Sequence, residues 1–285
     1  MIFSHFKRRR GIRFDDGFRH SARDVAVDPL VATYDAILAT DPTVPVLLQL
    51  TEYRGQQVLW QDPACTIPVE DIGDPVGGVR HPETGEILAV QETDANRPVW
   101  GGIGVGAEFD GSAALLLTDE EILTQPYQDD LLMRNSHIVL GIHADDVGFT
   151  HEPLGWRDGN QFNLVQLRNS SDPPVLRHWR DIGTESVNRS SNDLVAPITE
   201  PIIISVSVQD RTSRVRIAGT DMISTSTRSE VEVDAVDHTP AIGARNKEGS
   251  LEVFYRGTMA CAVIYRRVLD DDTVDGSYLG LEPTT

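Results

Sequence analysis

Residues 202–217 read Ile202-Ile-Ile-Ser-Val-Ser-Val208, then Gln209-Asp-Arg-Thr-Ser213, then Arg214-Val-Arg-Ile217. Isoleucine and valine are β-branched, and they are enriched in strands because their side chains pack well on a pleated surface. The residues between the two runs are polar, which is typical of the turn of a β-hairpin. A second turn at Ala218-Gly219-Thr220 ends the alternating run. The segment therefore predicts two antiparallel strands joined by a short turn.

A similar pattern of short predicted strands and turns extends over most of the chain on both sides of this hairpin. Short apolar or alternating runs are separated by clusters of Gly, Pro, Asn and Asp. This pattern predicts a sandwich or barrel of short strands, not alternating strands and helices. The other predicted strands are Val46–Leu50, Gln57–Trp60, Ile87–Gln91, Ala113–Leu117, Ile138–His143, Phe162–Arg168, Glu230–Val236, Leu251–Tyr255 and Met259–Arg266. Two helix-like patches, Thr118–Leu123 and Asp270–Tyr278, are too short to cover a parallel sheet.

Residues 1–45 differ from the rest and form a separate predicted unit. Between Met1 and Arg23 there are seven basic residues and two acidic ones. The densest part of this arm holds Lys7, Arg8, Arg9, Arg10 and Arg13. Asp28-Pro29 then predicts the start of a short helix, because an N-cap residue precedes a proline at the first helical position. We predict a basic docking arm and short helix over 1–45 and a β-sandwich over 46–285; the alternative for the arm is a tail without a specific partner.

Charge and cysteine content exclude several classes of protein. The 285 residues carry 44 acidic and 25 basic side chains, a net charge of −19, which argues against a nucleic-acid partner. No window approaches the run of about 18 apolar residues that a spanning helix needs, so we expect no membrane insertion. The two cysteines, Cys65 and Cys261, are too few for a disulfide scaffold or a zinc site, and we interpret them as reduced core thiols.

Two parts of the predicted β-sandwich contain recognisable sequence motifs. The first reads Val58-Leu-Trp-Gln-Asp-Pro-Ala-Cys-Thr-Ile-Pro-Val69, followed by Gly73-Asp-Pro-Val-Gly77, Ala95-Asn-Arg-Pro98 and Ala107-Glu-Phe-Asp-Gly111. The second comprises the Ile202–Ala218 hairpin, Ile242-Gly-Ala-Arg245, the Leu251–Gly257 segment and Met259–Leu269. Over about Val58 to Leu281, the chain resembles the concanavalin A-like (laminin G-like) jelly-roll domain of phage and prophage virion structural proteins. Cys65 stands where that pattern usually has glycine.

The resemblance implies a fold, a location and a set of partners. The fold is mainly β, a concanavalin A-like jelly-roll β-sandwich with an N-terminal arm and short helix. The protein would be assembled in the bacterial cytoplasm and displayed on the virion as a fibre, spike or decoration. Its partners would be other virion proteins (capsid, portal or tail proteins), further copies of the same chain, and host cell-surface glycan. Two alternatives remain, a lectin-like receptor-binding module and a glycanase or depolymerase.

No residue pattern predicts catalysis. Alternation places the carboxylates of Glu230-Val-Glu-Val-Asp234 on one strand face, as in some jelly-roll glycanases. No aromatic cluster flanks this run, and we interpret it as a solvated strand face. The chain has no Gly-x-Ser-x-Gly, and the glycines of Gly101–Gly106 precede a predicted strand where a phosphate site would need a helix. We therefore expect neither enzyme activity nor a cofactor.

The best candidate for carbohydrate binding is the predicted loop Trp156-Arg-Asp-Gly-Asn-Gln161. A tryptophan can stack on the apolar face of a sugar, while Arg157, Asp158 and Asn160 offer hydrogen-bond donors and acceptors to its hydroxyls. The predicted loop His178-Trp-Arg-Asp181 is the second candidate. In both, the alternative is a tryptophan that belongs to the core. Asp145-Asp146 and Asp158–Asn160 could offer oxygens to calcium, but neither matches an EF-hand loop, and we expect no metal.

Overall fold

The computed structural model describes residues 46–50, 57–81, 84–102, 105–118, 135–145, 150–158, 161–168, 175–181, 190–195, 201–209, 212–219, 222–227, 239–265, 268–272 and 274. The predicted arm and helix of residues 1–45 and the predicted strand Glu230–Val236 lie outside these ranges, as does most of the patch Thr118–Leu123. In the other helix-like patch, Asp271, Asp272 and Val274 are helical.

Strands dominate the described residues. Apart from the helical residues near Asp271, the described helical structure is one 3-10 turn, Asp94–Asn96. The strands are β1 (Val46–Gln49), β2 (Leu59–Trp60), β3 (Gly78–Arg80), β4 (Ile87–Val90), β5 (Val99–Trp100), β6 (Ala107–Asp110), β7 (Leu115–Leu117), β8 (Asn135–Ala144), β9 (Thr150–Asp158), β10 (Gln161–Arg168), β11 (Val175–Asp181), β12 (Ser190–Val195), β13 (Ile202–Gln209), β14 (Thr212–Ile217), β15 (Ile223–Thr227), β16 (Ala241–Ile242), β17 (Arg245–Lys247), β18 (Ser250–Glu252) and β19 (Arg256–Tyr265).

These strands form two sheets. The first sheet has the order β15-β14-β13-β8-β19-β6-β5, and β1 pairs with β19 beyond the end of β6. The second has the order β12-β11-β10-β9-β16-β7-β4-β3-β2, and the β17–β18 hairpin pairs with β9. The ladders between described strands are antiparallel, apart from the parallel β17–β9 pair. The prediction of a mainly β sandwich is confirmed.

Apolar side chains of both sheets meet in one buried core. Leu140 and Val206 come from the first sheet, Leu154 comes from the second, and all three belong to the same cluster. The rings of Phe109 and Tyr255 pack edge to face inside it, with centroids 5.9 Å apart. Removing these side chains from water is the main free-energy gain that holds the sheets together. Cys65 and Cys261 are buried free thiols, as predicted.

The predicted hairpin of residues 202–217 forms, and its turn is shorter than the predicted Gln209–Ser213. Gln209 of β13 pairs with Thr212 of β14, and the ladder continues to Ile204 and Ile217. One face of β13 belongs to the core, and its opposite face lies under the chain segment that contains Leu269 and Val274, both buried. Because both faces are covered, β13 is an almost continuous apolar run.

The segment between Ile242 and Tyr255 differs from its predicted structure. Residues Asn246–Gly249 are part of a hairpin, because β17 pairs with β18 across a turn in which Glu248 and Gly249 have φ values of 50° and 84°. The predicted strand Leu251–Tyr255 ends at Glu252. Val253 has a φ of 52°, in the left-handed region, and a strand cannot continue through it.

Candidate functional site

The predicted carbohydrate loop is mostly strand. Trp156, Arg157 and Asp158 are the final residues of β9, and Asp158 pairs with Gln161 at the start of β10. Pairing between β9 and β10 therefore extends to the residues that the sequence assigned to the loop. Asn160 lies outside the described residues. The loop prediction is wrong for Trp156–Asp158, whose backbones pair with β10, and those of Trp156 and Arg157 also pair with β17 on the other side.

The second predicted loop, His178–Asp181, is also strand and lies within β11. The His178 side chain is fully buried, and its Nδ1 is 2.5 Å from the Oγ of Ser213, which is buried on β14 of the other sheet. This hydrogen bond joins the two sheets inside the sandwich. His178 therefore has a structural position in the core and faces no ligand.

Other sequence candidates lie partly or wholly outside the described residues. The docking residues of the arm and the Glu230–Asp234 run belong to that part of the chain. Asp145 is exposed just after β8. Over the ranges that the structure describes, no group of three or more His, Cys, Asp or Glu side chains is placed to hold a metal ion. No helix in those ranges has the length and apolarity needed to span a bilayer.

The fold brings a histidine and a serine together that the sequence did not link. His137 of β8 is buried, and its Nε2 lies 2.6 Å from the Oγ of Ser205 on β13. Its Nδ1 accepts a hydrogen bond from the backbone N–H of Leu269 at 3.1 Å. A neutral ring that accepts at Nδ1 carries its proton on Nε2, so it donates to the serine and cannot remove the serine proton. Burial lowers the pKa of His137 to about 4, which keeps the ring neutral near pH 7.

Arg214 and Arg216 both contact the carboxylate of Asp271, close to this site. Both Asp271 carboxylate oxygens accept hydrogen bonds of 2.7 Å from Arg214 on β14. The Nε of Arg216 lies 3.4 Å from the same carboxylate. The Arg214 side chain holds the pKa of Asp271 below its usual range by hydrogen bonding. The pair fastens the segment around Leu269 to the sheet, so the His137–Ser205 contact is a structural one.

A second buried polar cluster lies beneath the β17–β18 hairpin. Glu152 of β9 is fully buried, its Oε1 accepts a 2.7 Å hydrogen bond from Gln166, and its Oε2 is 3.2 Å from the Nε of Arg245. Arg245 also lies 3.2 Å from Glu252. Burial raises the pKa of Glu152 to about 7, although the Arg245 guanidinium acts in the opposite direction. The hairpin covers this carboxyl, and the cluster attaches the hairpin to β9.

The phrase from Trp60 to Gly78 folds as one tight unit. The Asp62 carboxylate accepts hydrogen bonds from the backbone N–H groups of Thr66 and Ile67, at 2.8 and 2.7 Å. Cys65 has a φ of 53°, the left-handed region in which glycine is favoured. A glycine at this position would adopt the same φ without steric strain. Gly78 pairs with Trp60 and lies directly against the Cys65 side chain.

Next to this unit, the described surface has a shallow open depression. Its volume is about 650 Å³, and it is lined by Glu70, Asp71, Ile72, Trp100 and Gly102. Glu70 and Asp71 are exposed, Trp100 is half-buried, and Ile72 is 74% exposed. This volume lies within the range of small-molecule sites, about 300–1,000 Å³. An aromatic ring, an aliphatic side chain and two carboxylates are a suitable set for a sugar, which has an apolar face and a rim of hydroxyls.

The backbone holds the two halves of the depression together. One Asp74 carboxylate oxygen accepts the N–H groups of Glu70 and Asp71, each at 2.9 Å, and these bonds lower the pKa of Asp74. Gly73 N–H donates to the Trp100 carbonyl and Trp100 N–H donates to the Asp74 carbonyl, both at 2.8 Å. The acidic turn is thus bonded directly to β5.

Sequence reasoning missed this depression. Its residues come from two segments about thirty positions apart, and neither segment has a motif of its own. The available signal was an apolar residue inside a polar turn, Asp71-Ile72-Gly73, together with a tryptophan followed by two glycines, Trp100-Gly101-Gly102. Their pairing becomes visible only through the hydrogen bonds between Gly73, Asp74 and Trp100.

No family model matches the chain, and no curated protein matches it. Among solved structures, the CBM40 module of the Ruminococcus gnavus IT-sialidase is 14% identical over 49% of this chain and 80% of that chain, with a TM-score of 0.42. Domain 4 of AbnA, a GH43 extracellular arabinanase from Geobacillus stearothermophilus in complex with arabinotriose, is 14% identical over 83% of this chain and 98% of that chain, with a TM-score of 0.45.

A structure of botulinum neurotoxin type C, described with its interaction with two ganglioside molecules, is 10% identical over 86% of this chain and 53% of that chain, with a TM-score of 0.47. At these identities and TM-scores, the likenesses say nothing about what this chain binds.

Proposed function

We propose that the chain is a non-enzymatic recognition module of a phage or phage-like particle, and that it binds host cell-surface carbohydrate at the depression beside Trp100. The observation that carries the proposal is the depression itself. It combines a tryptophan, an exposed isoleucine and two exposed carboxylates on one surface. Carbohydrate binding needs this combination of apolar contact and oriented polar groups.

The particle context is supported by the sequence resemblance and by the geometry of its first motif. Cys65 takes a left-handed φ where the pattern usually has glycine, and Gly78 packs against it. The left-handed φ of Cys65 is the conformation that the usual glycine of the pattern favours. The basic arm of residues 1–23 offers a charged segment for docking to another virion protein.

A binding role is also favoured over an enzymatic one by the chemistry of the buried groups. The His137 ring donates to Ser205 instead of accepting from it, so this contact does not activate a nucleophile. The Glu152 carboxyl is covered by the β17–β18 hairpin and out of reach of a substrate. A glycanase would need two accessible carboxylates across a scissile bond, with one of them held protonated.

The test uses the exposed apolar side chain of the depression, Ile72. In Ile72→Arg, a long charged side chain replaces one that is 74% exposed, so the fold is kept while the depression is filled. We expect binding to immobilised bacterial surface polysaccharides to fall at least tenfold. Ile223→Arg is the matched control, because Ile223 is 44% exposed on β15, at the opposite end of the first sheet from the Trp100 strand β5. Its binding should equal that of the unchanged chain.

Trp156→Ala tests the site that the sequence alone suggested. If folded Trp156→Ala loses binding while Ile72→Arg keeps it, the proposed site is wrong and the carbohydrate role stands. If the unchanged chain binds none of the polysaccharides, the proposed function is wrong. Release of reducing sugar from any of them would favour the glycanase alternative.

A further inference from the structure

The charge lining the depression is entirely negative among the described residues. Glu70 and Asp71 supply it, and neither carboxylate makes a hydrogen bond or an ion pair with a described side chain. Their interactions with Asp74 go through the backbone N–H groups and leave the side-chain oxygens free. The two carboxylates on this short turn can therefore accept hydrogen bonds from a ligand, and no described side chain donates to them.

From this we infer that the depression selects amino sugars and uncharged sugars and rejects acidic ones. The inference rests on the proposed function and names the ligand class of the same site. An ionised carboxylate only accepts hydrogen bonds, so it pairs with sugar hydroxyls and, more strongly, with an ammonium group. The carboxylate of a uronic or sialic acid would meet two like charges, and the described lining of the depression has no cation to offset them.

The fixed position of the turn adds to this selectivity. Asp74 binds the N–H groups of both Glu70 and Asp71, and the turn is bonded to Trp100 by two backbone hydrogen bonds of 2.8 Å. The backbones that carry the carboxylates are therefore ordered before a ligand arrives. A preorganised backbone loses less conformational entropy on binding, and it keeps both carboxylates on the same edge of the depression.

The protein as a whole acts in the same direction. A net charge of −19 lowers the local concentration of anionic ligands and raises that of cationic ones. This long-range effect is weakened by salt, because exposed charges are screened beyond about 8 Å at physiological ionic strength. The contact with Glu70 and Asp71 in the depression is short-range and persists at higher salt.

Three trisaccharide probes separate the ligand classes. They are chitotriose, its fully deacetylated triamine, and trigalacturonate, which are neutral, cationic and anionic. Titration of the full chain at 0.15 M salt, close to the physiological value, should give binding that is at least fivefold tighter for the triamine than for chitotriose. Trigalacturonate should show no binding at the depression. Equal or tighter binding of trigalacturonate, blocked by Ile72→Arg, would overturn the inference.

A double variant assigns the preference to the two carboxylates. Glu70→Gln with Asp71→Asn should bring the affinity for the triamine down to that for chitotriose. The matched control is Glu86→Gln with Glu92→Gln, which removes the same charge from exposed acids outside the depression. A preference that survives in the first variant, or disappears in the control, contradicts the inference.

The two proposals fail in different ways. If the unchanged chain binds surface polysaccharides and Ile72→Arg abolishes that binding, the function stands whatever the order of the three probes. If the triamine binds equally well to the unchanged chain and Ile72→Arg, the probe is attracted to the acidic surface in general, and the assignment of a ligand class to this site is wrong.

Discussion

His137 shows how a single buried side chain is committed to one protonation state. Its two ring nitrogens have different partners, the Ser205 hydroxyl and the backbone N–H of Leu269. The second bond requires an unprotonated Nδ1. Arg216 and Arg214 add positive charge around the ring, and Asp271 adds negative charge. Burial outweighs the carboxylate, so the pKa is lowered to about 4.

This environment predicts a loss of stability in acid. The unfolded chain protonates His137 near pH 6.5 and the folded chain near pH 4, so the unfolded state binds more protons between these values. The free energy of unfolding should therefore fall as the pH is lowered from 6.5 to 4, by up to about 3 kcal/mol from this residue. Denaturant unfolding across this pH range measures the change.

Protonation of Glu152 changes the free energy of unfolding with pH in the opposite direction, so its effect has to be separated from that of His137. Its pKa is raised to about 7, so it favours the folded state at low pH and loses that contribution as the pH rises through 4.5 to 7. The comparison of the unchanged chain with His137→Gln cancels the effect of Glu152. A glutamine can donate to Ser205 and accept from Leu269 without titrating. If both proteins show the same pH slope, protonation of His137 does not control stability.

At the scale of elements, sequence reasoning located the strands whose apolar pattern is uninterrupted. The predicted run Ile202–Val208 matches β13 except that the strand extends one residue further, to Gln209, and β10 starts one residue before the predicted Phe162. β9 was missed because it contains Pro153 and Gly155, which normally interrupt strands. Its ladder has a register shift between Val165 and Leu167 of β10, and the resulting bulge accommodates the proline.

The candidate site was less accessible to sequence reasoning than the strands. Local patterns report on neighbours along the chain, whereas the depression joins residues 70–72 to residues 100–102 through backbone hydrogen bonds. The tryptophans at 156 and 179 were chosen because polar residues follow them in sequence. Arg157, Asp158, Arg180 and Asp181 are strand positions, a consequence of pairing with β10 that the sequence does not show.

The turn unit from Trp60 to Gly78 allows a prediction at this scale. A Cβ on Gly78 would lie 2.5 Å from the Cys65 sulfur and 2.9 Å from the Asp62 carbonyl oxygen. Gly78→Ala should therefore lower the free energy of unfolding by about 1–3 kcal/mol through overpacking. Cys65→Ala removes the sulfur, so the double variant should be more stable than the sum of the two single effects predicts.

Gly77 supplies the control for this cycle. A Cβ there would collide with the backbone oxygen of Gln61, which Cys65→Ala does not move. Gly77→Ala and Cys65→Ala should therefore have additive effects on stability. Additive effects for Gly78→Ala as well would show that the Cys65 side chain is not what excludes a larger residue.

For the whole molecule, the distribution of charge separates the arm from the body. The total is −19, while residues 1–23 carry seven basic and two acidic side chains. We predict that deleting Met1–Arg23 leaves the midpoint of thermal unfolding nearly unchanged and abolishes incorporation into particles. The measurements are calorimetry of the purified chain and quantification of the protein in purified particles. Normal occupancy of the truncated protein would contradict a docking role.

The position of β19 has a consequence for biosynthesis. This strand, Arg256–Tyr265, lies in the middle of the first sheet, with β8 on one edge and both β6 and β1 on the other. A ribosome makes those three strands long before the strand that joins them, so the nascent chain carries unpaired strand edges for most of its synthesis. Such edges favour aggregation, and pairing of distant segments is slow. The yield of soluble protein should therefore depend on chaperone supply and on translation speed before residue 256 more than on the stability of the finished sandwich.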